Sequence, residues 1–355
     1  MSLHTGAVSK HRSAPWPVWP VIIFVILGVS LVYIAKWNPY YHKVFSVATH
    51  HTLGASVITG SAPFAPAPSW HAAWDYTWSY FKDIWIALIA GLVIGSGVDA
   101  LLPPDWLAVT LGRISWKSRT LAGLAAIPSM MCTCCSAPIV VNLKRQKVST
   151  GAVLAYWIGN PILNPATIIF MGFVLGWNWA LLRIGLGIVL VALVAKLGDM
   201  WQPAGLDETT LPVPQRPSDS PLHIVTRFIH SLWKLMTRLL PEYIVLVMAL
   251  GAARAWLFPA MTANLSHAWW LWILYAIVGT LFVIPTAGEV PIVSVLMRYG
   301  LGVGPAAVLM ITLPAISLPS MAMVSTALPK SLLAKLAATV AIFGLITGLI
   351  GHFLL

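Results

Sequence analysis

The sequence predicts an all-α polytopic membrane protein built as an inverted structural repeat. Each half is a span, a hairpin and two further spans, and one extra span precedes the repeat. Three observations predict this. Of 355 residues, 59% are hydrophobic and only 9% charged, whereas an ordinary soluble domain carries about 25% charged residues to cover its core. The apolar residues run in continuous stretches, unlike the weak alternation of membrane barrel strands. Two stretches are broken in mid-course by proline and small or polar residues, at matching places. Such a composition excludes a soluble secreted, disordered or nucleic-acid-binding protein. The surplus of Lys plus Arg (21) over Asp plus Glu (10) then reads as a topology signal, not as the mark of an acidic partner.

Residues 1–83 hold a span at 17–36 and an outer loop from Trp37 to Lys82. Lys10 and Arg12 precede the apolar run as in a signal peptide, but the run is too long for a signal core and no small-x-small cleavage site follows, so the span is read as retained. The first repeat, 84–198, places spans at 84–103, 149–175 and 178–198 around a broken stretch at 119–147. The second, 241–355, places spans at 241–260, 304–327 and 331–355 around a broken stretch at 269–299. At ~1.5 Å per residue the unbroken spans can cross ~30 Å of hydrocarbon. Between the repeats, 199–240 comprises a Pro-rich polar linker (Trp201 to Pro221) and an amphipathic helix (His223 to Leu240) on the inner surface.

Charge decides how the broken stretches run. Arg113, Lys117 and Arg119 precede 119–147, and Lys144, Arg145 and Lys147 follow it. A crossing would leave one cluster outside, against the positive-inside tendency; a re-entrant hairpin keeps both inside. The same frame puts Lys10, Arg12, Arg216, Arg227, Lys234, Arg238, Lys330 and Lys335 inside, and leaves the outer loops 176–178 and 261–268 uncharged. It sets the N-terminus inside and the C-terminus outside, and gathers Trp70, Trp74, Trp78, Trp177, Trp179, Trp269 and Trp270 at the outer interface. Around the breaks, Pro138-Ile139-Val140 parallels Pro291-Ile292-Val293, and Leu143 with Leu296, Gly151 with Gly304 and Pro161 with Pro314 keep the same offset. Three spans per unit is an odd number, so the second unit enters upside down. In that plan broken helices from both halves meet at the midplane and form a binding site.

The first hairpin tip carries Cys132, Cys134 and Cys135. Three soft donors in unwound backbone suit one thiophilic ion or metalloid such as As(III), Sb(III), Cu(I) or Zn(II). The spacing of Cys132 and Cys135 also permits a redox disulfide or a persulfide relay. The bland alternative is Cys as a small hydrophobe in a tight turn; three thiols beside two prolines favour function. The second tip carries Glu289, costly in a bilayer unless paired, protonated or facing a cavity. It could pass a coupling proton or hold a cation, or merely cap a half-helix. Asn160-Pro161, Asn164-Pro165 and Leu313-Pro314, with Ser317 and Pro319, interrupt later spans and free backbone carbonyls. Asn160, Asn164 and Ser317 are expected to line the same pocket, unless the asparagines are only local caps. Asn164-Pro165-Ala166 matches half of the water-channel signature, but the second half has no copy. Arg183 and Arg298 lie near span ends and are expected to snorkel. Asp99 and Arg254, at nearly equivalent places in the repeats, are expected to pair within the bundle or gate one mouth. His50, His51 and His71 read as solvated loop residues.

The Cys-x-Cys turn before Pro138, the Asn-Pro break one span later and Gly288-Glu289-Val290-Pro291 make residues 80–355 resemble the predicted bacterial permeases of the ArsP and YraQ kind. The resemblance implies the bacterial cytoplasmic membrane. Family members of known substrate export trivalent organoarsenicals, so it also implies efflux of such a solute. The expected function is a secondary permease, not an enzyme, for a small thiophilic solute (a trivalent arsenical or a soft metal or metalloid). Cys132, Cys134 and Cys135 contact the cargo, ligating it if it is a metal; Asn160, Asn164 and Ser317 shape the pocket; Glu289 couples transport to protons. No P-loop is present, which favours ion coupling over ATP. No cofactor or nucleic-acid partner is expected; the partners are the solute and the bilayer, and the sequence allows a homo-oligomer. One alternative is a permease for a reduced sulfur compound with a cysteine relay. Another is a membrane thiol oxidoreductase, disfavoured because no second cysteine pair exists to pass electrons on.

Overall fold

A computed structural model describes residues 18–60, 65–202, 221–258 and 270–355. Apart from an isolated bridge between Ser56 and Gly60, the regular structure among the described residues is helical. Seven helical segments are long and apolar enough to cross a membrane, which makes this a multi-pass membrane protein. The expectations for Lys10, Arg12, Arg216, Trp269, most of the polar linker and the loop at 261–268 fall outside the described residues.

The chain begins with α1 (Val18–Val32), a π-helical turn (Tyr33–Trp37) and α2 (Asn38–His50), which form one rod. The loop expected from Trp37 is therefore helical over its first part; Pro39 falls in the first turn of α2, where its missing N–H costs little. The rod ends where His51 turns left-handed, at φ 51°. Helix α3 (Trp70–Leu101) starts well before residue 84, because Ser69 Oγ caps it by accepting from Ala72 N at 3.0 Å. A short α4 (Pro104–Leu111) leads to α5 (Trp116–Ala126), and α6 (Thr133–Arg145) completes the first hairpin. The next span is broken into α7 (Thr150–Ile162) and α8 (Pro165–Val174), and α9 (Trp177–Trp201) is unbroken. After α10 (Pro221–Leu257) the succession recurs: α11 (Trp270–Leu281) and α12 (Glu289–Arg298), then α13 (Val303–Ala315) and α14 (Leu318–Val324), then α15 (Lys330–Leu354).

Two expectations are corrected here. The amphipathic segment and the span after it are one helix, α10, despite Pro241. Leu235, Leu239, Tyr243 and Val247 are buried at every fourth position on both sides of that proline, so one continuous apolar stripe outweighs the ~3 kcal/mol an interior proline costs. Trp179 is buried, while Trp70, Trp74, Trp78, Trp177 and Trp270 are exposed. Residues two apart on a helix differ by about 200° in direction, so Trp177 and Trp179 cannot both face outward.

The residues flanking each hairpin lie close together. In the first, Ser118 Oγ donates to Leu111 O at 2.8 Å and lies 3.5 Å from Ser149 Oγ, while Ser149 N donates to Leu111 O at 3.0 Å. In the second, the Trp272 ring at the start of α11 fills the space beside Gly304 at the start of α13. Helices α9 and α15 run antiparallel, with Leu182 packed near Gly351 and the Lys335 ammonium 5.9 Å from the Trp201 ring. Asp199, near the end of α9, bonds Arg119 at 2.7 Å and Gly151 N at 2.6 Å, at the open end of the first hairpin. His352, near the end of α15, lies 6.1 Å from the Trp272 ring, at the open end of the second. The hairpins therefore open at opposite ends of the α9–α15 pair.

Candidate functional site

The first tip forms where the helix runs out. A 3-10 turn at Ile127–Ser129 gives way to Met130, held left-handed at φ 48°, and the chain stays unwound until Cys132 caps α6. Cys132 Sγ accepts from Cys135 N at 3.4 Å and lies 2.9 Å from Cys135 Sγ. Positions i and i+3 share a face, whereas Cys134 points about 100° away. Its Sγ is 3.6 Å from Ser317 Oγ, beside the Tyr80 and Tyr243 hydroxyls, which are 2.7 Å apart. The three thiols thus divide into a pair and a single. Among the described residues no group of three or more His, Cys, Asp or Glu side chains is disposed to hold a metal.

The tip is braced from behind. Asn160 Oδ1 accepts from Met131 N at 3.3 Å and from Ser129 Oγ, and its amide donates to Tyr156 O. Asn164 Oδ1 caps α8 through Ala166 N and Thr167 N, and its amide donates to Met130 O at 3.2 Å. Both asparagines spend their side chains on the first tip and on their own helices, and neither is among the residues that line the cavity described below. On the opposite side, α3 presses against α6 through Gly91 and Gly95. A Cβ at Gly91 would fall 1.9 Å from Cys135 O, and one at Gly95 2.8 Å from the Pro138 carbonyl carbon. Small residues of this spacing let helix backbones approach closely in a membrane.

At the second tip, the turn Pro285–Gly288 carries Ala287 at φ 67° and delivers Glu289 to the start of α12. Glu289 Oε1 lies 2.7 Å from Arg183 Nη1. Arg183 is fully buried and does not snorkel. The reason lies in the neighbouring break: carbonyls at the end of α7 lack helical partners, and the guanidinium fork donates to Pro161 O at 2.7 Å and Ile162 O at 3.1 Å while holding the carboxylate. Arg298 stays exposed at the end of α12. Glu289 Oε2 is buried and has no hydrogen-bond partner among the described residues.

The two tips and the two breaks meet around one cavity. Its lining includes Cys132 and Thr133 from the first tip, Pro285, Thr286, Ala287 and Glu289 from the second, Pro161 and Thr167 from the α7–α8 region, and Leu313, Pro314 and Ser317 from the α13–α14 break. Its volume is about 10 Å³, room for no more than a single water. The two tips and the two breaks therefore leave little free space between them.

One buried charge at this site escapes sequence reasoning. Lys36 is the last residue of the first apolar run, and nothing in the sequence singles it out. In the structure the rod continues past it, and the π-helical turn directs Lys36 inward, where Nζ donates to Thr286 Oγ1 at 2.9 Å and lies 5.4 Å from the Tyr40 ring centre. The next residue, Trp37, donates to Pro128 O at 2.9 Å. A π-helical turn is a frequent mark of a functional site, but sequence alone does not display it. Asp99 and Arg254 have different surroundings: Asp99 Oδ1 accepts from Gln146 Nε2 at 2.9 Å, and Arg254 donates to Val57 O and covers the Tyr76 ring. His71 pairs with Asp75 at 2.8 Å on the surface, and His50 and His51 are exposed on and just after α2.

Comparison with known proteins follows this geometry. The chain is 41% identical over 344 residues, 97% of its own length and 98% of the other, to the UPF0718 protein YraQ of Escherichia coli (strain K12). It is 21% identical over 335 residues to the UPF0718 protein MJ0584 of Methanocaldococcus jannaschii, covering 76% of this chain and 92% of that one. No solved structure matches it. A family model described as a predicted permease, ArsP_1, matches residues 17–160 and 129–353. Both hairpins, both broken spans and the N-terminal rod fall within those matches, and the chain belongs to this predicted permease family.

Proposed function

We propose that this protein is a secondary permease that carries a small thiophilic solute, a trivalent arsenical or a soft metal or metalloid, out of the cell across the bacterial cytoplasmic membrane. The observation that carries the reading is the small cavity at which a cysteine tip, a carboxylate tip and two proline breaks converge. Cys132 faces the cavity with Cys135 2.9 Å away, so two soft donors serve the cargo. Cys134 and Ser317 form an adjacent pair between the halves, and Asn160 and Asn164 set the tip position. Glu289, with one oxygen on Arg183 and the other without a partner among the described residues, couples movement to a proton. The recurring succession of elements and the opposite placement of the hairpin ends support two oppositely inserted repeats with re-entrant hairpins, and the placement of Lys and Arg in the sequence favours the N-terminus inside and the C-terminus outside.

The experiment is thermal unfolding of the purified protein with phenylarsine oxide, arsenite, Zn(II), thiosulfate and sulfite. A thiophilic ligand is expected to raise the midpoint, and Cys132→Ser with Cys135→Ser to abolish the rise. An unchanged rise in that double variant removes the thiol role. The adjacency of Cys132 and Cys135 also favours a second reading, in which the cargo is a reduced sulfur compound held by the same two thiols. Growth on that compound as sole sulfur source separates the two.

A further inference from the structure

We infer that Lys36, on the N-terminal rod outside both repeats, is a positioning residue of the transport pathway: it latches the turn that separates the cargo cavity from a second, larger cavity. The second cavity, about 170 Å³, is lined by Tyr40 and Lys43 of α2, by Ala55 and Val57 of the following loop, by Asp83 and by Thr286, among others. The first is the thiol cavity of about 10 Å³. Pro285, Thr286 and Ala287 line both. The partition between a polar vestibule and the buried thiols is thus one turn of chain. The Lys36 ammonium holds that turn through Thr286 Oγ1 at 2.9 Å.

The latch has the properties of a gate. Lys36 is 3% exposed, and none of the salt bridges among the described residues includes it. A buried ammonium held by the Thr286 and Tyr40 side chains, with no carboxylate paired to it among the described residues, is stabilised less than one in a carboxylate pair, so a modest gain elsewhere can release it. The turn it holds is not relaxed, since Ala287 takes a left-handed conformation that glycine would favour. The same rod grips the first tip through Trp37 and Pro128 O, and Val47 of α2 packs in one cluster with Met130 of the first tip and Ala287 of the second. One element therefore touches both tips, so moving the rod opens the partition between them. Release of Lys36 joins the vestibule to Cys132 and gives the cargo its route on that side.

This inference rests on the thiol cavity being the cargo site, but its test needs no cargo. In a Cys134→Ser, Cys135→Ser background, Cys132 is labelled with a charged, membrane-impermeant methanethiosulfonate in right-side-out and inverted vesicles. Thr52→Cys, on the exposed loop after α2, marks the vestibule side. Thr286→Val and Lys36→Met are each expected to speed labelling of Cys132 at least tenfold from the side that labels Thr52→Cys and from that side alone, and Lys36→Arg to restore slow labelling. Equal acceleration from both sides reports general loosening and overturns the latch, as does a rate within twofold of the parent in both variants. If labelling responds as expected while no thiophilic ligand shifts thermal unfolding, the latch stands and the cargo assignment falls.

Discussion

Gly91→Ala is expected to disrupt the protein more than any other single methyl-sized substitution. The added carbon would sit 1.9 Å from Cys135 O, which is backbone and cannot swing aside. Helices α3 and α6 must then part by more than an ångström, along an interface where Asn142 also bonds Gly95 O at 2.8 Å. Overpacking of a well-filled interior costs about 1–3 kcal/mol, and a backbone clash belongs at or beyond the top of that range. The thermal midpoint should fall by several degrees, with lower accumulation in membranes and freer access of thiol reagents to Cys132. Gly28→Ala on α1 is the matched control, since no atom lies within 4 Å of its added carbon. If both variants unfold at the parent temperature, the close approach of α3 to the cysteine tip is wrong.

Arg183→Met is expected to be comparably severe for an electrostatic reason. It strands the buried Glu289 carboxylate and leaves Pro161 O and Ile162 O without a donor. Removing one partner of a buried ion pair costs about 3–5 kcal/mol. Adding Glu289→Gln to Arg183→Met should recover part of the loss, because the carboxylate no longer needs a counter-charge. The coupling is read from a double-mutant cycle of thermal unfolding. Glu289→Gln alone should leave Arg183 its carbonyl contacts and fold better than Arg183→Met, while flattening the pH dependence of flux. Additive effects of the two substitutions, or an unchanged pH dependence, would count against a coupled pair at the cavity.

Much of this architecture can be read in the sequence because bilayer chemistry is restrictive. Spans appear as apolar runs and prolines locate the breaks; the paired clusters of basic residues predict a re-entrant course for 119–147, and Ser118 and Ser149 at its two ends lie close together. Cys132, Glu289 and Ser317 are individually visible as residues too polar or reactive for plain packing, and all three line the cavity. What sequence does not show is direction and partner. The helical phase that splits Cys134 from Cys132 and Cys135 depends on where α6 begins. The inward turn of Arg183 depends on carbonyls freed one span away. Lys36 is not singled out by sequence, because the π-helical turn that buries it has no marker in the residues. For the asparagines the sequence leaves a pocket role and a capping role open, and in the structure Asn160 and Asn164 bond Met131 N and Met130 O of the first tip.

The central claim is that the two hairpins reach one cavity from opposite faces of the membrane. It is tested most directly by cysteine accessibility in a variant lacking Cys132, Cys134 and Cys135, with single cysteines at Lys117, Arg145 and Tyr299, all exposed. Lys117→Cys and Arg145→Cys should be labelled from one face and Tyr299→Cys from the other. Labelling of Lys117→Cys and Arg145→Cys from different faces, or of all three from the same face, would contradict it.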